Sequence, residues 1–359
     1  MRRSSQASPQ RSSLEANAAS YSNQRRGGGR RSLPIDNRPI LLRQLDPAAD
    51  LRPGRSELAQ LLAGLTSRDV AILAALDDHR YLDQEQVRQL FFEGQRHAQI
   101  RTKWLRDQHL IQRWTALQPP GWHRLHSVVL NSVRGAGVLA ATRDQDARPY
   151  TTRAREAAEH CLHFVHDLGA NGFFASISAA ARHLEGEGLY HWIGEAGCRR
   201  EYRLRGARIT PDGWGRYLTP EGDIVFLLEW DRATEFPKQL EAKVSGYVAH
   251  YRGRERAELN NVLFVAPDAR REEAIRTAIA KQRRAARALP CCTFWTANAA
   301  ALGAQGPLAG LWRGVTATDD LEPARLRDMP ARTRSDHGID DCIGKPRWWE
   351  RRPAGGSGW

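Results

Sequence analysis

The chain has 359 residues, 41% of them hydrophobic, and carries 54 Lys and Arg against 41 Asp and Glu, a net charge of +13. That length supports two domains with separate cores, and the charge points to a polyanion as partner. No run of about 18 apolar residues occurs, and the five cysteines (Cys161, Cys198, Cys291, Cys292, Cys342) show no CxxC or Cys/His spacing, so a membrane-spanning helix, a disulfide framework and a zinc finger are not expected.

Residues 1–57 read as a disordered basic arm, rich in Ser, Arg, Gly and Gln around Arg25, Arg26, Arg30 and Arg31. Such a composition buries too little apolar surface to order itself. Residues 1–31 are basic but lack an apolar segment, so no secretory signal is expected and the cytoplasm is the expected compartment. Arginine supplies nearly all the positive charge, since only five lysines occur. Its fork of donors suits phosphate, although a GC-rich genome gives the same bias.

Residues 58–145 read as a first domain. Thr66 to Asp69 has the form of a capping box, followed by Val70, Ile72, Leu73 and Leu76 at helical spacing. Asp83 can cap a second helix at 84–92, and a third follows at 96–108, anchored by Ile100, Trp104 and Leu105. Strands at 110–117 and 124–130 flank the turn Pro119, Pro120, Gly121, and a last helix covers 132–141. Three short helices and a hairpin make a winged helix-turn-helix layout. On its third helix Arg96, His97, Gln99, Arg101, Lys103 and Arg106 are expected to face outward, with Arg124 (and His123 and His126) on the wing. Cations serve phosphates, and Arg or Gln forks serve base edges in the major groove of double-stranded DNA. The structural alternative is a solvated face of a small helical domain that binds protein.

Residues 151–315 read as a second domain. Helices are expected at 153–168 and 173–184, strands at 189–195, 198–204, 208–218 and 223–230, a helix at 237–252, a strand at 262–266, a helix at 270–288 and a strand at 292–296. Residues 316–359 read as a disordered tail. The fold class is thus α+β or α/β, the second domain running α-β-β-β-α-β. Asp212 precedes one strand and Glu229 ends its hairpin partner, so the two carboxylates can meet. Paired carboxylates at strand ends suit Mg²⁺, which takes hard oxygen ligands and keeps waters for a phosphate substrate.

This order and pair resemble the PD-(D/E)xK nuclease core, a restriction-endonuclease-like fold. The resemblance implies Asp212 and Glu229 as metal ligands and a lysine two residues beyond Glu229 at the attacking water. That position holds Asp231, so the motif reads E-x-D. Lys243, bordering the packed face Leu240, Val244, Tyr247 and Tyr251 of the next helix, could substitute, and Glu195 could add a ligand. A structural ion-pair network of the same residues is the other reading.

Several stretches, in order, resemble the replication-relaxation family of mobile-element proteins: Leu65 to Asp69, Leu90 to Phe92, the 101–110 helix, His166 to Leu168, Pro211 to Gly213, the 226–232 strand with Thr234 and Glu235, Tyr247, and Leu263 to Val265. The resemblance implies a role in replication, relaxation or transfer of the element, with other replication or transfer proteins and a second copy of the chain as candidate partners. Three readings follow: a DNA-binding factor, a Mg²⁺-dependent nuclease, and a winged-helix autorepressor. His160, His163 and His166, three apart, could hold zinc or pack within a helix. No Walker A sequence occurs, which argues against an ATP-driven motor.

Overall fold

The computed structural model describes residue 49 and residues 51–115, 127–159, 164–204, 207, 209–252, 260–285, 292–315 and 322–332. Helix α1 (Arg55–Gly64) leads into α2 (Ser67–His79). The capping box forms: the Thr66 hydroxyl accepts from Asp69 N, and the Asp69 carboxylate accepts from Thr66 N at 2.7 Å. After β1 (Leu82–Asp83), the Asp83 carboxylate opens α3 (Gln84–Phe91) by accepting from Gln86 N at 2.8 Å. Helix α4 (Gln95–Asp107) follows Gly94, and β2 (Ile111–Thr115) and β3 (Ser127–Asn131) pair antiparallel from Ile111↔Asn131 to Thr115↔Ser127. Strand β1 joins the other edge of β3, giving the order β1-β3-β2. Ser132 then caps α5 (Val133–Thr142), its hydroxyl accepting from Gly135 N at 2.7 Å. The expected turn at 119–121, with His123, Arg124 and His126, lies outside the described residues.

Helix α6 (Ala147–Glu159) and α7 (Phe164–Ala180) replace the expected helices at 153–168 and 173–184. The sequence suggests a stop after Leu168, yet α7 continues through Gly169. This glycine serves a close approach: a Cβ there would lie 2.2 Å from Trp230 Nε1. Strand β4 (Gly188–Gly194) is followed by α8 (Glu195–Leu204), where the sequence suggests a strand at 198–204. The period explains the difference: Cys198 and Tyr202, four apart, pack on the sheet, while Arg199, Arg200 and Arg203 are exposed.

The chain then forms β5 (Gly213–Thr219), β6 (Gly222–Trp230), α9 (Pro237–Tyr251), β7 (Asn260–Ala266), α10 (Ala269–Ala285), β8 (Cys292–Asn298), α11 (Ala299–Gln305) and β9 (Arg313–Val315). Six strands lie in the order β4-β5-β6-β7-β8-β9. The first three form an antiparallel meander, β6, β7 and β8 are parallel, and β9 returns antiparallel. The elements therefore run α7, β4, α8, β5, β6, α9 and β7, a mixed α+β order in which α8 interrupts the expected α-β-β-β-α-β run after β4.

Central β6 is apolar on both faces, as a strand covered on two sides must be. Val225 and Leu227 pack with Leu240, Val244 and Tyr247 of α9 and Ile275 and Ile279 of α10. Ile224, Phe226 and Leu228 pack with Phe173, Phe174 and Ile177 of α7, in one continuous core that also holds Leu73, Val87, Leu105 and Leu139. Each such burial contributes roughly 1.5–3 kcal/mol. Polar ties reinforce the junction: Asn171 Nδ2 donates to Tyr81 O at 2.7 Å, and Gln86 Nε2 donates to Leu168 O at 2.8 Å. Part of the expected disordered tail also packs here. Leu326 and Met329 are buried, and Arg332 bridges to Asp223 of β6.

Candidate functional site

The β5–β6 register pairs Gly213 with Leu228, so Asp212 and Glu229 stand opposite each other one step further along. Helix α9 lies over that end of the sheet and brings two donors to Glu229. The Tyr247 hydroxyl donates to Glu229 Oε1, and Lys243 Nζ lies 2.9 Å from Oε2 and 2.9 Å from Glu235 Oε1. Helix α7 contributes His166, whose Nε2 is 3.0 Å from Asp212 Oδ1, while Asp212 Oδ2 accepts from Trp230 N at 2.8 Å. Of the four residues expected to act together, Asp212, Glu229 and Lys243 converge.

Asp231 does not. Strand β6 ends at Trp230, and the Asp231 carboxylate accepts from Ala233 N at 2.7 Å and pairs with Arg271 of α10. The E-x-D position thus belongs to a separate ion pair. Glu195, expected at a strand end, is the first residue of α8 and pairs with Arg199. His166 is visible in the sequence only as one of three spaced histidines; His160 and His163 lie outside the described residues. Tyr247 is legible as a packed residue, and nothing in its spacing marks its hydroxyl as a partner of Glu229.

Burial and the Asp212 charge push the Glu229 carboxyl up to about 7, against the pull of Lys243 and Tyr247. Burial disfavours the His166 cation, but hydrogen bonding to Asp212 and the charges of Asp212 and Glu195 raise it overall. Lys243 follows the same pattern: burial opposes its charge, and Glu229 and Asp212 raise it more strongly. Burial and Glu195 push Asp167 up to about 7, with Arg80 4.0 Å away.

This donor set does not fit a magnesium ion as it stands. Asp212 Oδ2 accepts from Trp230 N and Glu229 Oε1 from the Tyr247 hydroxyl, while His166 Nε2 and Lys243 Nζ lie within 3.0 Å of the other two carboxylate oxygens. Lys243 supplies positive charge where a divalent cation would bring it, and His166 adds to that charge when protonated. Among the described residues, no three His, Cys, Asp or Glu side chains are placed to hold one metal ion.

A family model described as replication-relaxation matches residues 73–263, from within α2 to within β7 and over half of the chain. The chain belongs to the replication-relaxation family. No curated protein and no solved structure matches it. Membership gives this replication-relaxation protein a replication- or relaxation-related function. Among the described residues, no single helix is long and apolar enough to cross a membrane.

The matched span includes α4, the second candidate surface of this family member. Ala98, Thr102 and Leu105, at helical spacing, are buried. Arg96, His97, Gln99, Lys103 and Arg106 are exposed, as the sequence leads one to expect. Two positions differ. Ile100, read as an anchor, is 57% exposed because Ala98 and Thr102 take the inward positions. Arg101, read as outward, turns back to Asp69 and Gly64 O and lies over the Trp104 ring. Lys103 pairs with Asp107 along the helix, and Arg124 lies outside the described residues.

Proposed function

We propose that this protein is a duplex-DNA-binding factor of a mobile genetic element, with residues 58–145 as a winged helix-turn-helix and α4 as its recognition helix. One observation carries the reading. Helix α4 anchors itself through Ala98, Thr102 and Leu105 and presents Arg96, His97, Gln99, Ile100, Lys103 and Arg106 outward. Cations on such a face hold phosphates, Gln and Arg forks read base edges, and an exposed Ile suits a thymine methyl. The Lys103–Asp107 pair is exposed and screened by solvent, so it yields readily to phosphate. The +13 charge adds sequence-independent attraction.

The test is fluorescence anisotropy of a labelled duplex with wild type and an Arg96→Ala, Lys103→Ala, Arg106→Ala triple variant. The expected result is weaker binding, with the salt slope reduced by about one for each phosphate-holding cation removed. Superimposable isotherms would remove α4 from the interface. Footprinting upstream of the protein's own gene separates an autorepressor from a replication factor.

A Mg²⁺-dependent nuclease centred on Asp212, Glu229 and Lys243 is the second reading. The convergence of those three side chains on one strand end favours it. The occupied carboxylate oxygens stand against it, and DNA binding without cleavage is the better-supported function.

A further inference from the structure

We propose that α8 carries a second DNA-contact surface, an arginine face that grips the phosphate backbone of the duplex held by α4. This rests on the DNA-binding reading of α4 and extends it to a part of the fold that nothing in the sequence motifs points to. Helix α8 anchors Cys198, 1% exposed, and Tyr202 against the sheet. The opposite face carries Arg199, Arg200 and Arg203, which with Ala196 wall an open groove of about 440 Å³.

The electrostatics leave this groove available to an anion. Arg199 keeps an exposed guanidinium while pairing with the half-buried Glu195, and Arg200, at 3.7 Å from Glu201, is largely exposed, where such a contact is worth under about 1 kcal/mol. Arg203 has no acidic partner among the described residues. Three guanidinium forks along one helix face match successive phosphates, each of which an arginine can hold through two parallel hydrogen bonds.

Placement favours the same duplex as ligand. Helix α2 joins the two surfaces: Arg101 of α4 ties to Asp69 in its first turn, and α2 also packs on α8. Its 13 residues span roughly 20 Å. One turn of B-DNA is about 34 Å long, so the two surfaces lie within one helical turn of each other along α2.

The experiment uses the full chain, wild type against Arg200→Gln with Arg203→Gln, and measures duplex affinity across a salt series. Removing two phosphate-holding guanidiniums lowers the salt slope by about two, so the drop in affinity between 50 and 200 mM salt shrinks by roughly tenfold. An Arg200→Lys, Arg203→Lys variant, which keeps the charge, is expected to retain the wild-type slope, and both must match the wild-type melting temperature. If the glutamine variant keeps the wild-type slope while the α4 triple variant binds more weakly, the α8 surface is wrong and the α4 reading stands. If the α8 change weakens binding and the α4 change does not, the recognition-helix reading fails and the arginine face remains. A slope reduced equally in the lysine variant marks a packing effect and overturns the phosphate interaction.

Discussion

Arg101 of α4 and Asp69 of α2 form a two-pronged ion pair, with Arg101 Nε donating to Asp69 Oδ1 at 2.6 Å and Nη2 to Oδ2. Asp69 is fully buried and also caps its own helix, so this arginine fixes the angle between α2 and α4. Removing it strands a buried carboxylate. Arg101→Ala is expected to cost about 2 kcal/mol of stability, read as a lower denaturant midpoint. Lys103→Ala, on the exposed side of the same helix, is expected to shift stability by under about 0.5 kcal/mol. Equal midpoints for the two variants would show that the Arg101 pair does not hold α4 in place.

Two glycines are expected to respond in opposite directions to the same change. Gly169 of α7 lies against the Trp230 indole, where a Cβ would meet Nε1 at 2.2 Å. Gly169→Ala forces α7 away from the sheet and is expected to cost about 1–3 kcal/mol. Gly137, inside α5, has nothing within 4 Å of the corresponding position. Gly137→Ala removes backbone freedom from the unfolded chain and is expected to add about 0.4–1 kcal/mol. Thermal melts of the two variants on either side of wild type are the expected outcome; a Gly169→Ala melt at or above wild type would show that the helix has room to move.

The starts of α2, α3 and α5 are legible in the sequence because Thr66, Asp83 and Ser132 cap them through local hydrogen bonds. The buried run of β6 and the register that sets Asp212 opposite Glu229 are also legible, since both follow from period and hairpin spacing. What sequence does not disclose depends on partners distant along the chain. Arg101 faces inward because Asp69, 32 residues earlier, is buried beside it. Asp231 leaves the carboxylate pair because Arg271, 40 residues later, claims it. Helix α8 reads as a strand because Cys198, Tyr202 and three arginines fit an extended segment until the sheet face that Cys198 meets is known.

The raised ionisations of His166, Asp167 and Glu229 make stability depend on pH in one direction. Glu229 and Asp167 are raised to about 7 from ordinary values of 4.5 and 3.8. Between those limits the folded state holds more protons than the unfolded state, so stability falls as pH rises through the window. His166 is raised above 6.5, so its contribution is complete below that value and is lost as pH rises through the folded value. The two carboxyls therefore lower stability as pH rises from about 5 to about 7, and His166 adds to the fall above 6.5. Glu229→Gln and Asp167→Asn are each expected to flatten the fall of melting temperature over that range. A variant curve parallel to wild type would mean that the substituted carboxyl is already ionised at pH 5.

Magnesium provides the sharpest contrast between a DNA-holding core and a cleaving one. With Lys243 on Glu229 and His166 on Asp212, an incoming Mg²⁺ must displace the Lys243 ammonium and the His166 imidazole from the carboxylates. Millimolar MgCl₂ or MnCl₂ is therefore expected to leave the melting temperature unchanged and supercoiled plasmid intact, and chelation is expected to leave duplex affinity unchanged. Lys243→Ala removes the ammonium and exposes Glu229 Oε2. It is expected to destabilise the fold by about 3 kcal/mol, because a buried carboxylate loses its partner, and metal-dependent stabilisation is expected in this variant alone. Nicking by the wild-type protein that both Asp212→Ala and Glu229→Ala abolish would reverse the argument: it would show that the two side chains give way to metal when DNA arrives, and that the paired carboxylates are a working phosphodiesterase centre.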